Sequence, residues 1–122
     1  MPLPATVCVV DDDDAFRAGL VTLLRSAGLT VRAFASAEQL LALSELPAMA
    51  CLVVDLRMRG MGGLALSREL ARRGVAPPTL LMTAWPTLQV RQDAAALGMS
   101  AVIEKPAEPE LVLAQVERCL RG

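Results

Sequence analysis

The chain has 122 residues, which suits one compact domain of the common size of about 100–150 residues. Hydrophobic residues make up 54% and charged residues only 20%, a balance that excludes a disordered chain. The formal net charge is −1 and His is absent, so no strongly basic nucleic-acid surface is expected and His-based triads and most zinc sites are removed.

Short apolar runs alternate with longer helical patterns. Thr6–Val10 is short and β-branched, the mark of a buried strand. Asp14–Ala27 follows as a helix with Phe16, Leu20, Leu23, Leu24 and Ala27 on one face, stopped by Gly28. Thr30–Phe34 reads as a second strand. Ser36-Ala37-Glu38-Gln39 forms a capping box that opens a helix carrying Leu40, Leu41 and Leu43. Ala50–Val54 is a third strand ending in Asp55, and the glycines of Leu56–Gly63 make that segment a loop. Leu64–Arg73 is helical and is capped by Gly74. Thr79–Met82, Leu88–Leu97, Ala101–Glu104 and Glu108–Leu120 continue the alternation as strand, helix, strand and helix.

The predicted architecture is therefore α/β: a (βα)5 chain with a parallel five-stranded sheet covered by helices on both faces, a doubly wound fold. Its crossovers are right-handed. Binding sites in such sheets lie outside the carboxyl ends of the strands. The residues just past those ends are Asp11 and Asp12, Asp55, Thr83 and Lys105.

The aromatic residues are Phe16, Phe34 and Trp85 alone, too few for a base-stacking platform, so the core is expected to be aliphatic. Cys8, Cys51 and Cys119 are odd in number, far apart and form no C-x-x-C, which fits a reducing, cytoplasmic setting. The first ten residues carry no side-chain charge, so the basic start of a signal peptide is missing. The uncharged stretch Gly74–Val90 is interrupted by Pro77, Pro78 and Pro86 and makes a poor membrane span. A soluble protein without a membrane partner is expected.

The strand-end residues suggest a chemistry. Asp13 or Asp14 is accounted for by the start of a helix, where a carboxylate meets the macrodipole. Asp11 and Asp12 sit at the strand end itself, where crowded carboxylates repel unless a hard divalent cation such as Mg²⁺ relieves them. Asp55 is either a strand-end carboxylate bonded to loop amides or a nucleophile toward a phosphoryl group. Thr83 and Lys105 could bind phosphate oxygens. The Lys105-Pro106 bond can be cis at modest cost, and Ala84 would leave the site open.

Together V-V-D-D-D at 9–13, V-D-L-R-M at 54–58, M-T-A at 82–84 and E-K-P at 104–106 resemble the response-regulator receiver domain of bacterial two-component signalling. The resemblance covers essentially the whole chain, and the wording is most similar to the FixJ-type branch. It implies a flavodoxin-like, CheY-like fold with strand order 2-1-3-4-5. It also implies phosphorylation of Asp55 by a partner histidine kinase. Mg²⁺ would be held by Asp12, Asp55 and the backbone carbonyl of Arg57, with Asp11 supporting through water, while Thr83 and Lys105 sense the phosphate. Homodimers of the family often form through the face of helix four, strand five and helix five.

Three positions depart from the family pattern. Arg59 stands where the branch usually has Pro, Val102 where strand five usually has an aromatic residue, and Trp85-Pro86 stiffens the chain after Thr83-Ala84. Two other readings are weighed beside the switch. One is a haloacid-dehalogenase-type phosphotransferase using Asp11 and Asp13, which would leave Asp55 without a role. The other is an interaction module independent of phosphorylation. Residues 1–122 are expected to form a single receiver domain without an effector domain, so no nucleic acid should bind this chain.

Overall fold

A computed structural model describes residues 6–122. The first half of the uncharged stretch at the start of the chain lies outside the described residues. Ten elements alternate strictly: β1 (Thr6–Val10), α1 (Asp14–Ser26), β2 (Val31–Phe34), α2 (Ala37–Leu41), β3 (Met49–Asp55), α3 (Gly63–Arg72), β4 (Thr79–Thr83), α4 (Leu88–Ala96), β5 (Ala101–Glu104) and α5 (Pro109–Leu120). The five strands form one sheet in the order β2-β1-β3-β4-β5, and every pairing is parallel.

The period of two along each strand divides the core. On one face Val7, Val9, Cys51, Val53, Leu80 and Met82 pack with Leu20 and Leu24 of α1 and with Val112 and Val116 of α5. On the other, Cys8, Val10, Leu52, Val54 and Leu81 pack with Leu40 of α2, Leu66 and Leu70 of α3 and Ala94 of α4. Both faces of the central strands are thus buried, which is why their sequences are continuous apolar runs rather than alternating ones. Each fully buried Leu or Val contributes about 1.5–3 kcal/mol over an exposed one.

The helix starts follow local chemistry. Asp13 caps α1 by accepting the Phe16 N–H at 3.0 Å, Ser36 caps α2 by accepting from Gln39 at 3.1 Å, and Thr87 caps α4 by accepting from Val90 at 3.2 Å. The reciprocal bond of the expected capping box shifts by one residue: Gln39 Oε1 accepts the N–H of Ala35, not that of Ser36.

Two expectations about helices are corrected. The second helix stops at Leu41, and Leu43 lies beyond it, its N–H reaching Leu40 O at 3.3 Å in a last tight turn. Pro47 follows closely and cannot continue a helix. On α1, Ala27 is exposed at the C-cap, where its N–H is spent on the Leu23 and Leu24 carbonyls, and Val21 is buried instead.

Candidate phosphoacceptor and metal site

The parallel register brings the polar residues together. Val10 pairs with Val54, Asp55 with Met82, and Thr83 with Glu104, so all four strands end at nearly one level. Backbone bonds continue just past the strands: Asp11 N–H donates to Phe34 O, Leu56 N–H to Met82 O, and Lys105 N–H to Thr83 O, at 3.1, 2.7 and 2.8 Å. These bonds fix where each following side chain leaves the sheet.

Asp11, Asp12 and Asp55 each offer a carboxylate oxygen within 4.8 Å of the others. This cluster of hard oxygen donors fits a small divalent cation of the Mg²⁺ kind. Lys105 Nζ donates to Asp11 Oδ2 at 2.7 Å and to Asp55 Oδ2 at 3.0 Å. Its ammonium also lies 4.7 Å from the centre of the Phe16 ring. Asp55 Oδ1 accepts the N–H of Arg57 at 3.3 Å. Asp55 therefore makes the loop-amide bond of the structural reading while one face of its carboxylate turns to Lys105.

Burial raises the pKa of Asp11 above the usual carboxylate range, although the Lys105 bond and the Asp13 N–H pull the other way and the Asp55 charge adds to the rise. For Lys105, burial alone would lower the pKa. The bonds to Asp11 and Asp55 outweigh it, and the ammonium is held above its ordinary value. The two shifts have different causes: at Asp11 burial outweighs the single lysine bond, whereas at Lys105 the bonds to two acids outweigh burial.

Thr83 is buried, and its Oγ1 accepts the Trp85 N–H at 3.1 Å. Thr83, Ala84, Trp85, Asp55, Arg57 and Lys105 line one open cleft of about 240 Å³. Ala84 is exposed at this cleft. The Lys105-Pro106 bond is cis. Val102 is half-buried and packs against the cluster that holds Leu81 and Ala94.

Sequence reasoning missed several supports. Arg17 Nη1 donates to the Asp11 carbonyl at 2.6 Å and its Nη2 to Asp14 at 2.7 Å, tying α1 to the end of β1. Glu38 Oε2 accepts the Met61 N–H at 2.9 Å and anchors the loop between β3 and α3, and that amide lowers the Glu38 pKa. Glu38 was legible only as part of a helix cap. The glycines at 62 and 63 carried a signal that a loop reading does not exhaust: a Cβ at 62 would press on the Leu56 carbonyl, and one at 63 would stand 2.7 Å from the Asp55 carbonyl. Asp13 Oδ1 is occupied as the α1 cap, and the carboxylates that cluster are Asp11, Asp12 and Asp55.

The comparisons agree with this geometry. The response regulator receiver domain family matches residues 7–117. The transcriptional regulatory protein FixJ of Azorhizobium caulinodans is 37% identical over 98% of this chain and 57% of its own length. The regulator TdiR of Thauera aromatica is 34% identical over 95% of this chain and 51% of its own. The chain thus spans about half the length of the curated relatives it matches. The crystal structure of FixJ-N superposes with a TM-score of 0.82 at 30% identity, covering 98% of this chain and 96% of that one. Sheet order, strand-end residues and family match converge, and the chain belongs to the response regulator receiver domains, the phosphoacceptor signalling modules of two-component systems.

Proposed function

We propose that Asp55 accepts a phosphoryl group from a histidine kinase in a Mg²⁺-dependent reaction, and that this switches a protein-interaction surface. The observation that carries the reading is the convergence of Asp55 with two further carboxylates, Lys105 and Thr83 around one open cleft. In the transfer, an Asp55 carboxylate oxygen forms the new O–P bond while the bond from phosphorus to the kinase imidazole nitrogen breaks. That nitrogen keeps the electron pair, and Asp55 becomes an acyl phosphate. Asp11, Asp12, Asp55 and the Arg57 carbonyl are the groups proposed to hold Mg²⁺. Bound there, the cation would offset the charge of the phosphoryl oxygens.

The remaining roles belong to the chain itself. Lys105 exchanges its bond to Asp55 for one to a phosphoryl oxygen, and Thr83 turns its hydroxyl from the Trp85 amide toward the same group. Residues 1–122 act as one receiver unit that assists its own phosphorylation without turning over a separate substrate. Homodimer formation through the α4–β5–α5 face is part of the proposal. It is supported by the exposure of Leu88 and Leu111 in the first turns of α4 and α5 and of Trp85 in the loop that leads into α4. No nucleic acid is assigned to this chain, in line with its net charge of −1. A cytoplasmic setting is in line with the fact that no described helix is long and apolar enough to cross a membrane.

The test is incubation with acetyl phosphate and Mg²⁺ followed by intact-mass measurement. The wild-type chain should gain the mass of one phosphoryl group, and Asp55→Asn should gain none. Equal labelling of the Asn variant overturns the assignment.

A further inference from the structure

Asp12 already has a partner. Its Oδ2 accepts the backbone N–H of Arg59 at 3.1 Å and lies 3.8 Å from Arg59 Nε. The contact joins positions 47 apart and ties the loop after β1 to the loop after β3. Lys105 sits between the other two carboxylates with its side chain only 17% exposed. Arg59 approaches Asp12 from solvent instead, with its side chain 92% exposed. All three carboxylates that could hold a cation therefore have a positive group of the chain beside them. Arg59 is the one that can swing into water at little cost.

We infer that Arg59 is a built-in competitor of the divalent cation at Asp12, a positioning residue that keeps the metal affinity of this chain below what its three carboxylates alone would confer. The inference rests on the metal-site reading given above. Two effects act together. The guanidinium repels a dication arriving at the same carboxylate, and the Arg59 amide uses one of that carboxylate's oxygens. Metal binding therefore weakens the Arg59 amide bond. The loop keeps its second tether two residues on, where Glu38 holds the Met61 N–H at 2.9 Å. The change is thus local to residue 59 and does not release the whole loop.

The two effects separate by substitution. Arg59→Gln removes the charge and keeps the amide; Arg59→Pro removes both, because proline has no N–H. Calorimetric titration of the full chain with MgCl₂ should show Arg59→Gln binding about threefold more tightly than wild type at low salt, the scale of an exposed charge pair. That ratio should shrink as salt screens the charge. Arg59→Pro should bind about as tightly as Arg59→Gln or more so, and Arg59→Gln alone decides the matter if the Pro variant does not fold. In wild type, hydrogen exchange of the Arg59 amide should quicken on adding Mg²⁺ while that of Met61 does not. Wild-type-like or weaker binding by Arg59→Gln, with binding lost in Asp12→Asn, overturns the role of Arg59 and leaves the metal site standing. Unchanged binding by Asp12→Asn overturns the metal-site reading itself.

Discussion

Lys105 Nζ lies 2.7 Å from Asp11 Oδ2, joining residues 94 positions apart at the carboxyl end of the sheet. The Asp11 side chain is 3% exposed, so its charge has little water to turn to. The same ammonium holds Asp55 at 3.0 Å, which makes Lys105 the counter-ion of the cluster.

Removing that counter-ion should destabilise the fold. Breaking one partner of a buried ion pair costs about 3–5 kcal/mol, and the opening of this site to water reduces the expected loss for Lys105→Met to about 2 kcal/mol. Urea unfolding should show it, and saturating Mg²⁺ should restore part of the loss by taking over the charge. An unchanged midpoint would mean that the lysine contributes nothing to the resting fold.

Thr83 and Trp85 supply a second readout. The Trp85 N–H is bonded to the Thr83 hydroxyl, and the indole is 69% exposed on the exit from β4. Drawing the hydroxyl toward a phosphoryl group must break this bond and free the Trp85 backbone. Trp85 fluorescence should change on phosphorylation or beryllofluoride binding, and Thr83→Ala should remove the change. A flat signal in a sample shown by mass to be phosphorylated would exclude this loop from the switch. On the proposed switch Val102 is too small to fill the space that Thr83 would leave, and the two states are expected to differ through such bonds.

Gly63 should tolerate no side chain. A Cβ there would meet the Asp55 carbonyl at 2.7 Å and Leu81 Cδ1 at 2.8 Å. The carbonyl belongs to a strand and cannot retreat. Gly63→Ala should lose about 1–3 kcal/mol, the usual loss on overpacking, and should slow labelling of Asp55 by shifting its backbone. Wild-type stability and labelling rate together would show that the α3 start has room to spare.

Stability in acid should depend on Glu69. Its carboxylate accepts from Arg72 at 2.5 and 3.0 Å and from Arg73 at 2.8 Å, and these bonds lower its pKa from the ordinary 4.5 to about 2. A lowered carboxyl value stabilises the fold above the unfolded-state pKa and loses that contribution as pH falls through the folded one. Part of the acid loss of stability should therefore fall between about pH 4.5 and pH 2 and be missing in Glu69→Gln. Parallel urea midpoints for both proteins down that range would refute it.

Much of this molecule was legible in the residues because its signals are local. Five apolar runs separated by helical periods dictate the parallel sheet, and β1 and β5 occupy the predicted spans without change. Strand-end position alone singled out Asp11, Asp12, Asp55, Thr83 and Lys105, since a doubly wound sheet directs whatever follows its strands to one edge. Other features depend on distances through space. Ala27 stays outside the core because α1 ends at Ser26 and leaves it at the C-cap, and Val21 is buried on the same helix. Glu38 reaches Met61, and Arg59 reaches Asp12, only once α2 and two loops are packed on the sheet. The division of Lys105 between two acids was likewise undetermined by spacing. Composition and periodicity determine which side chains arrive at the edge. Which donor each carboxylate meets there depends on loop paths, and these are set by the close approach of Gly62 and Gly63 to the backbone after β3.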